Sequence, residues 1–150
     1  MRRLLPGPSV CVATGLIACL GVSLFAASVE IASDAMLTIN SVNAVGGGLA
    51  AANDSTTYSV VNASGTKALL GRLNVDMPSH TSLGLSLAAP TGAVSTGLVQ
   101  LSSSDQSLVT GIGIVNESGL EMTFTLSASV EASLVNSGTR TLTLTLVDEP

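Results

Sequence analysis

The stretch Leu120–Val130, LEMTFTLSASV, decides the fold class, because apolar and polar residues alternate along its whole length. A period of two is that of a β-strand with one face buried and the other in water. The stretch Thr139–Val147 has the same pattern, with threonines between Leu142, Leu144 and Leu146. Threonine suits the solvent face, since its branched Cβ favours the pleat and its hydroxyl reaches water. Both stretches are therefore predicted strands with a leucine-rich inner face.

Similar alternation continues through the chain after residue 28, and no stretch keeps the i, i+3, i+4, i+7 apolar spacing of a helix. Clusters of Gly, Asn, Ser and Pro between the alternating stretches are typical of tight turns. Further strands are predicted at Val29–Ile39, Thr57–Val61, Ala68–Met77, Ser82–Ala88, Gly97–Leu101 and Ser107–Val115. The Gly-rich stretch Val45–Ser55 lacks alternation and predicts a loop or one short helical turn.

These strands and turns predict an all-β fold. The expected architecture is a single antiparallel β-sandwich of seven or eight strands with immunoglobulin-like or Greek-key connections. An up-and-down barrel is the alternative.

The first 28 residues are typical of an export signal. Arg2 and Arg3 form a positive start, Val10 to Phe25 is apolar, and small residues end the segment at Ser28. The sequence thus predicts a signal peptide with a hydrophobic helix at 1–28, a β-sandwich domain at 29–150, and a secreted or cell-surface location. Cleavage near Ser33 is an alternative.

Cys19 supports a different processing. It ends the tetrapeptide LIAC, which is similar to the site where bacterial lipoproteins are acylated on cysteine. That interpretation predicts a periplasmic or outer-membrane lipoprotein anchored through Cys19, and an uncleaved signal anchor is a further alternative. The membrane would be contacted only through the leader or this lipid.

Charge and cysteine content argue against two classes of function, nucleic-acid binding and thiol chemistry. After residue 28 only Lys67, Arg72 and Arg140 are basic against ten acidic residues, which argues against binding nucleic acid. Both cysteines, Cys11 and Cys19, lie in the leader, so the mature chain is expected to have no disulfide and no thiolate site.

No catalytic, cofactor-binding or metal-binding residues are predicted. His80, the single histidine, lies in a predicted turn without triad or metal partners in the sequence. Ser64 and Lys67 match Ser-x-x-Lys, but in a turn and not at the start of a helix. The carboxylates show no calcium-loop spacing, although loops could bring Asp54 and Asp105 together. The chain is predicted not to be an enzyme.

Sugar binding is disfavoured because stacking platforms are scarce. The chain is 2% aromatic, and the mature part has only Tyr58 and Phe124. Phe124 belongs to the predicted core face, which leaves Tyr58 alone.

The two ends of the mature chain are the parts of the sequence that indicate a function. Val29–Ile39, next to the processing site, and Thr139–Val147, near the C-terminus, are alternating segments, and either could pair with the open sheet edge of a neighbouring subunit. The alternative is that both strands complete the protein's own sandwich. The candidate inter-subunit residues are Val29, Ile31, Leu37, Ile39, Leu142, Leu144 and Leu146.

The chain resembles secreted bacterial all-β subunits of surface fibres and coats, such as pilin-like and spore-coat-like sandwiches. The resemblance lies in the leader, in the aromatic-poor mature part rich in Thr, Ser, Gly and Ala, and in the terminal Thr-Leu-Thr-Leu-Thr-Leu strand. The resemblance implies a structural subunit of an extracellular filament, coat or matrix that assembles by β-strand addition with itself or with other fibre subunits. The alternative function is a monomeric, secreted or lipid-anchored adhesion or binding module.

Overall fold

A computed structural model describes residues 27–38, 51–129 and 138–150. The predicted signal helix, Cys19 and Ile39 lie outside these residues. The described chain is all-β, with strands and turns and no helix. Its strands are β1 (Ser28–Ile31), β2 (Ala52–Asn62), β3 (Lys67–Leu73), β4 (Thr81–Leu87), β5 (Val94–Ser95), β6 (Val99–Gln100), β7 (Gln106–Ile112), β8 (Val115–Ala128) and β9 (Leu142–Asp148).

The strands form two antiparallel sheets, as expected for a β-sandwich. One sheet has the order β1-β2-β8-β4-β6 and the other has the order β5-β7-β3-β9. From β3 to β9, each strand lies in the opposite sheet from the strand before it. In an up-and-down barrel consecutive strands pair with each other. The barrel alternative is therefore wrong for this part of the chain.

The core lies between the two sheets. The alternation predicted from Leu120 onward is confirmed at Met122 and Phe124, which are buried, whereas Glu121 before them is exposed and Thr123 between them is half-buried. In the neighbouring strand β4, Leu85 and Leu87 lie directly opposite Phe124 and Met122. The buried residues are Tyr58, Val60, Leu69, Leu73, Leu83, Leu85, Leu87, Leu101, Leu108, Val109, Ile112, Met122 and Phe124.

Strand β2 starts earlier than the sequence predicts. The expectation of a loop or helical turn through Ser55 is wrong for Ala52–Ser55, which pairs in unbroken register with the end of β8. Asp54 is a residue typical of turns, but here its carboxylate accepts hydrogen bonds from the N–H groups of Met36 and Ser55 at 2.7 and 2.9 Å. With these partners a carboxylate is tolerated inside a strand.

The first strand ends earlier than the predicted limit at Ile39. Its last ladder bond runs from the Ala32 N–H to the Thr57 carbonyl at 2.9 Å. The chain then turns toward side chains of β2, where Ser33 and Thr56 share a hydrogen bond between hydroxyls at 2.8 Å. Leu37 is thus outside β1 and packs partly against the core.

Tyr58 is a core residue, contrary to the expectation that it stands apart from the core. Its side chain is 1% exposed, and its hydroxyl donates to the Ala88 carbonyl at 2.5 Å. Burial, followed by the nearby charge of Glu117, raises the pKa of Tyr58 to about 12. The ring cannot serve as a platform for a sugar without opening the sandwich.

A buried amide links two turns at one end of the sandwich. Asn62 is 1% exposed, and its Nδ2 lies 3.0, 3.1 and 2.9 Å from the carbonyl oxygens of Gly65, Ile112 and Gly113. Its Oδ1 accepts from the Ser64 N–H at 3.3 Å. This side chain therefore satisfies backbone groups of both the β2–β3 and the β7–β8 turns.

Candidate functional site

The four sheet edges differ in length. On one side of the sandwich the edge strands are β5 and β6, each of two residues, and the chain crosses directly from one to the other. On the other side the edge strands are β1 and β9, of four and seven residues. We call this the open side; there β1 and β9 come within 8 Å of each other. Both end strands predicted from the sequence are thus sheet edges on the same side.

Strand β9 is a long, regular edge. Its pairing with β3 runs without a bulge from Lys67 opposite Asp148 to Leu73 opposite Leu142. Between Leu142 and Val147 it contains neither a charged residue nor a proline. Short strands, charges, prolines and bulges are the usual protection of an edge against pairing with another chain. The described part of β9 has none of these before its last residue.

The side chains of β9 alternate as predicted. Leu142, Leu144 and Leu146 are half-buried and pack against the core, whereas Thr143 and Thr145 are exposed. The leucines therefore fix which face of β9 is turned inward.

The hydrogen-bonding register shows which backbone groups of β9 face outward. The Asn74 N–H donates to the Thr141 carbonyl at 2.9 Å, and the Glu149 N–H donates to the Thr66 carbonyl at 3.0 Å. Both pairs lie on the β3–β9 register. Because bonded and non-bonded pairs alternate in an antiparallel ladder, the odd-numbered residues of β9 bond to β3. The N–H and C=O groups of Leu142, Leu144 and Leu146 point away from β3.

In the described chain those outward groups have no backbone partner, since β9 pairs with β3 alone. An edge of this kind is a template for a further strand.

Strand β1 offers a smaller edge of the same kind. The bond from Ala32 to Thr57 sets its register, so the N–H and C=O groups of Val29 and Ile31 point away from β2. Glu30 places a charge in the middle of this four-residue strand. Of the first-strand candidates, Val29 and Ile31 thus lie on the edge and Leu37 does not.

Charged side chains flank β9 at both ends. Asp148 pairs with the Lys67 ammonium at 2.5 Å, yet the Asp148 side chain is 84% exposed. At the other end, the Arg140 guanidinium donates through Nε to the Asp76 carbonyl at 3.3 Å and through Nη1 to the Thr139 carbonyl at 3.2 Å. A positive group therefore precedes the strand and a negative group ends it.

An apolar groove opens at one end of the open side. Its volume is about 710 Å³, and its walls are the chain from Ile31 to Thr38 and from Gly138 to Leu142. Core residues form its floor, namely Leu73, Leu83, Phe124 and Leu126. Met36 stands at its rim with 87% of its surface exposed.

The remaining candidate residues lie apart. His80 is in the β3–β4 turn with φ of 64°, and Ser64 is exposed in the β2–β3 turn. Lys67, the partner of Ser64 in the Ser-x-x-Lys match, opens β3 and is paired with Asp148. Asp105 lies 3.8 Å from Arg72 of β3, whereas Asp54 lies in β2, which belongs to the other sheet. The structure therefore does not bring Asp54 and Asp105 together.

Within 27–38, 51–129 and 138–150, no three His, Cys, Asp or Glu side chains are grouped as they would be around a metal ion. The described residues also include no helix that is long and apolar enough to cross a membrane.

The described residues thus define a two-sheet antiparallel all-β protein in which one edge strand, β9, is long and unprotected. In comparisons with known proteins, no family model, curated protein or solved structure matches this chain.

Proposed function

We propose that this protein is an exported structural subunit of an extracellular filament, coat or matrix, and that it assembles by β-strand addition at β9. The observation that carries the proposal is the outward row of backbone groups at Leu142, Leu144 and Leu146 on a seven-residue edge. Backbone hydrogen bonds would give such an assembly its affinity.

The contrast between the edges supports this choice. The edges of β5 and β6 are two residues long, and the edge of β1 has a central glutamate. The same chain thus contains protected edges and one unprotected edge. An unprotected, uncharged edge is an aggregation hazard unless it has a proper partner.

The proposal includes export from the cell. The leader at 1–28 would be removed as a signal peptide and the domain at 29–150 would act at the cell surface or outside the cell. If Cys19 is acylated instead, the same domain would be held at a membrane as a lipoprotein. Its partners would be further copies or other fibre subunits, in a sandwich of immunoglobulin-like or Greek-key type, with no catalytic residue and no cofactor.

Edge substitutions test the proposal. Thr143 and Thr145 are exposed, so Thr143→Lys with Thr145→Lys should leave the fold intact while placing charges on the edge. Sedimentation velocity and electron microscopy of the wild-type protein should show assemblies, and those of the double variant should show monomers. Ser107→Lys, an exposed position on β7 of the same sheet, is the control and should assemble normally. Assembly that survives both edge lysines would contradict a role for β9, and a wild-type protein that stays monomeric would contradict the function.

The groove favours a second candidate, an adhesion or binding module that remains monomeric. Its apolar floor would hold an apolar ligand segment. Met36→Lys, at the rim, should then abolish binding of a fluorescent apolar probe, while Val75→Lys, an exposed position outside the lining, should not. Equal binding by both variants would reject this candidate.

A further inference from the structure

We infer that the strand added to β9 is β9 of a second copy of this chain, paired antiparallel about a two-fold axis at Leu144. The inference rests on the proposed function, because it takes strand addition at β9 as given and identifies the partner. It is carried by the register of the outward backbone groups and by the charges at the two ends of the strand.

The backbone limits the possible registers. Across the new interface, hydrogen bonds can form only between outward-facing residues, which are the even-numbered ones. A two-fold antiparallel pair meets this condition when the axis passes through the level of a residue, for example Thr143, Leu144 or Thr145. Backbone geometry alone allows each of these three.

The terminal charges select one of them. With the axis at Leu144, Arg140 lies opposite Asp148 of the second copy, and the two-fold repeats this pair at the other end. With the axis at Thr145, Arg140 would face Pro150; with the axis at Thr143, Asp148 would face Gly138. Opposite charges directly across an antiparallel pair are stabilising. The register at Leu144 is also the one that pairs the whole of 140–148 with itself.

Both charged groups are available for this contact. The Asp148 side chain is 84% exposed despite its ion pair with Lys67. The Arg140 guanidinium donates to the backbone carbonyls of Asp76 and Thr139, which are uncharged, so it keeps its full charge for a carboxylate.

The side chains fit the same register. Leu142 would lie opposite Leu146 of the second copy on the inner face, which extends the apolar layer across the interface. On the outer face Thr143 would lie opposite Thr145 of the second copy, and cross-strand threonine pairs are favourable. The result is one continuous sheet formed by two molecules. This isologous interface closes as a dimer, so the dimer would be the building block of the proposed filament, coat or matrix, and a further contact between dimers would extend it.

A disulfide test reads the register directly. Thr143 and Thr145 of the second copy would form a non-hydrogen-bonded pair with Cα atoms about 4.5 Å apart, within the range for a disulfide. Two residues with the same number, such as 143 and 143, would be diagonal neighbours about 7–8 Å apart, beyond most disulfides. The background is the full chain with Cys11→Ser and Cys19→Ser, so that no native thiol competes.

Thr143→Cys and Thr145→Cys proteins, mixed in equal amounts under mild oxidation, should give a covalent heterodimer. Each variant alone should cross-link far more slowly. The Ser107→Cys control, exposed on β7, should stay monomeric on the same gel. Preferential cross-linking of either variant with itself would overturn the register at Leu144.

Charge reversal gives an independent test. Arg140→Asp alone and Asp148→Arg alone would each place two like-charged pairs in the interface, and dimerisation should weaken roughly ten- to a hundredfold. A mixture of the two variants should recover wild-type affinity, because both opposite-charge pairs are restored in the heterodimer. Asp105→Arg, an exposed position before β7, is the charge-matched control and should change little. Thermal unfolding of each variant checks that its fold is retained.

The outcomes separate the two levels of the proposal. Wild-type assembly without recovery in the charge mixture and without the mixed disulfide would overturn the two-fold pairing and leave strand addition standing. A wild-type protein that is monomeric at all concentrations would overturn both. Recovery in the mixture together with the mixed disulfide would support both.

Discussion

Replacement of Asn62 should be among the most destabilising single changes in the described chain. The Asn62 amide is buried and holds the carbonyls of Gly65, Ile112 and Gly113 and the N–H of Ser64. Asn62→Ala leaves these groups without that partner. A net hydrogen bond is worth about 1 kcal/mol, and a buried polar group left unpaired costs about 1–3 kcal/mol. We therefore expect a loss of about 3–4 kcal/mol in the free energy of unfolding, a large part of the stability of a domain of this size.

Asn62→Asp should be worse at neutral pH. Its carboxylate would face three carbonyl oxygens, so the folded protein would raise the pKa of this aspartate. A raised carboxyl pKa in the folded state means that stability falls as pH rises above the unfolded value of about 3.9. The deficit of Asn62→Asp relative to Asn62→Ala should therefore shrink on acidification.

Urea unfolding, followed by the fluorescence of the single tyrosine, measures both variants. Asn116→Ala, at an exposed position early in β8, is the control and should change the free energy of unfolding by no more than about 0.5 kcal/mol. A loss of under about 1 kcal/mol for Asn62→Ala would refute the assignment of Asn62 as the link between the two turns.

Three further predictions concern single side chains. Tyr58→Phe, which removes the hydrogen bond to the Ala88 carbonyl, should lower the free energy of unfolding by about 1 kcal/mol at neutral pH. Because the pKa of Tyr58 in the folded protein is about 12, the stability of the wild-type protein should fall between pH 10 and 12 as the tyrosine of the unfolded chain ionises. Tyrosinate absorbance measures this ionisation. Gly71→Ala should destabilise, since a Cβ would lie 2.6 Å from Leu108 Cδ1, whereas Gly113→Ala meets open space; thermal unfolding compares them. Asp148→Asn should cost under about 1 kcal/mol by urea titration, because its ion pair is exposed.

The strands that lie on a core face could be predicted from the sequence. From Leu120 to Ala128 in β8 and from Leu142 to Leu146 in β9 every second residue is apolar. A shift by one residue would expose all of these side chains, so the pattern itself fixes the inner face. The same reasoning placed Leu142, Leu144 and Leu146 on a common face, as the structure has them.

Strand ends and strand connections could not be predicted in this way. Asp54 is a turn former by local preference, but within β2 its carboxylate accepts from the N–H groups of Ser55 and of Met36, and the contact with Met36 cannot be read from the local sequence. The end of β1 likewise depends on contacts with Thr56 and Thr57. A turn cluster shows where the chain reverses but not into which sheet, so the alternation between sheets was not visible.

The position of an edge is also a property of the whole fold. Alternation at 29–39 and 139–147 indicated strands that could pair with another molecule. That β1 and β9 share the open side follows from the sheet orders, and the outward direction of the Leu142, Leu144 and Leu146 amides follows from the β3–β9 register.

Residue-resolved hydrogen exchange of β9 at low and high protein concentration tests the central claim most directly. The amides of Thr143, Thr145 and Val147 bond to β3 and should be protected at both concentrations. The amides of Leu142, Leu144 and Leu146 should exchange freely in the dilute monomer and become protected when the protein assembles. If these three amides stay unprotected in the assembled protein, or are already protected in the monomer, β9 is not the strand through which the molecules join.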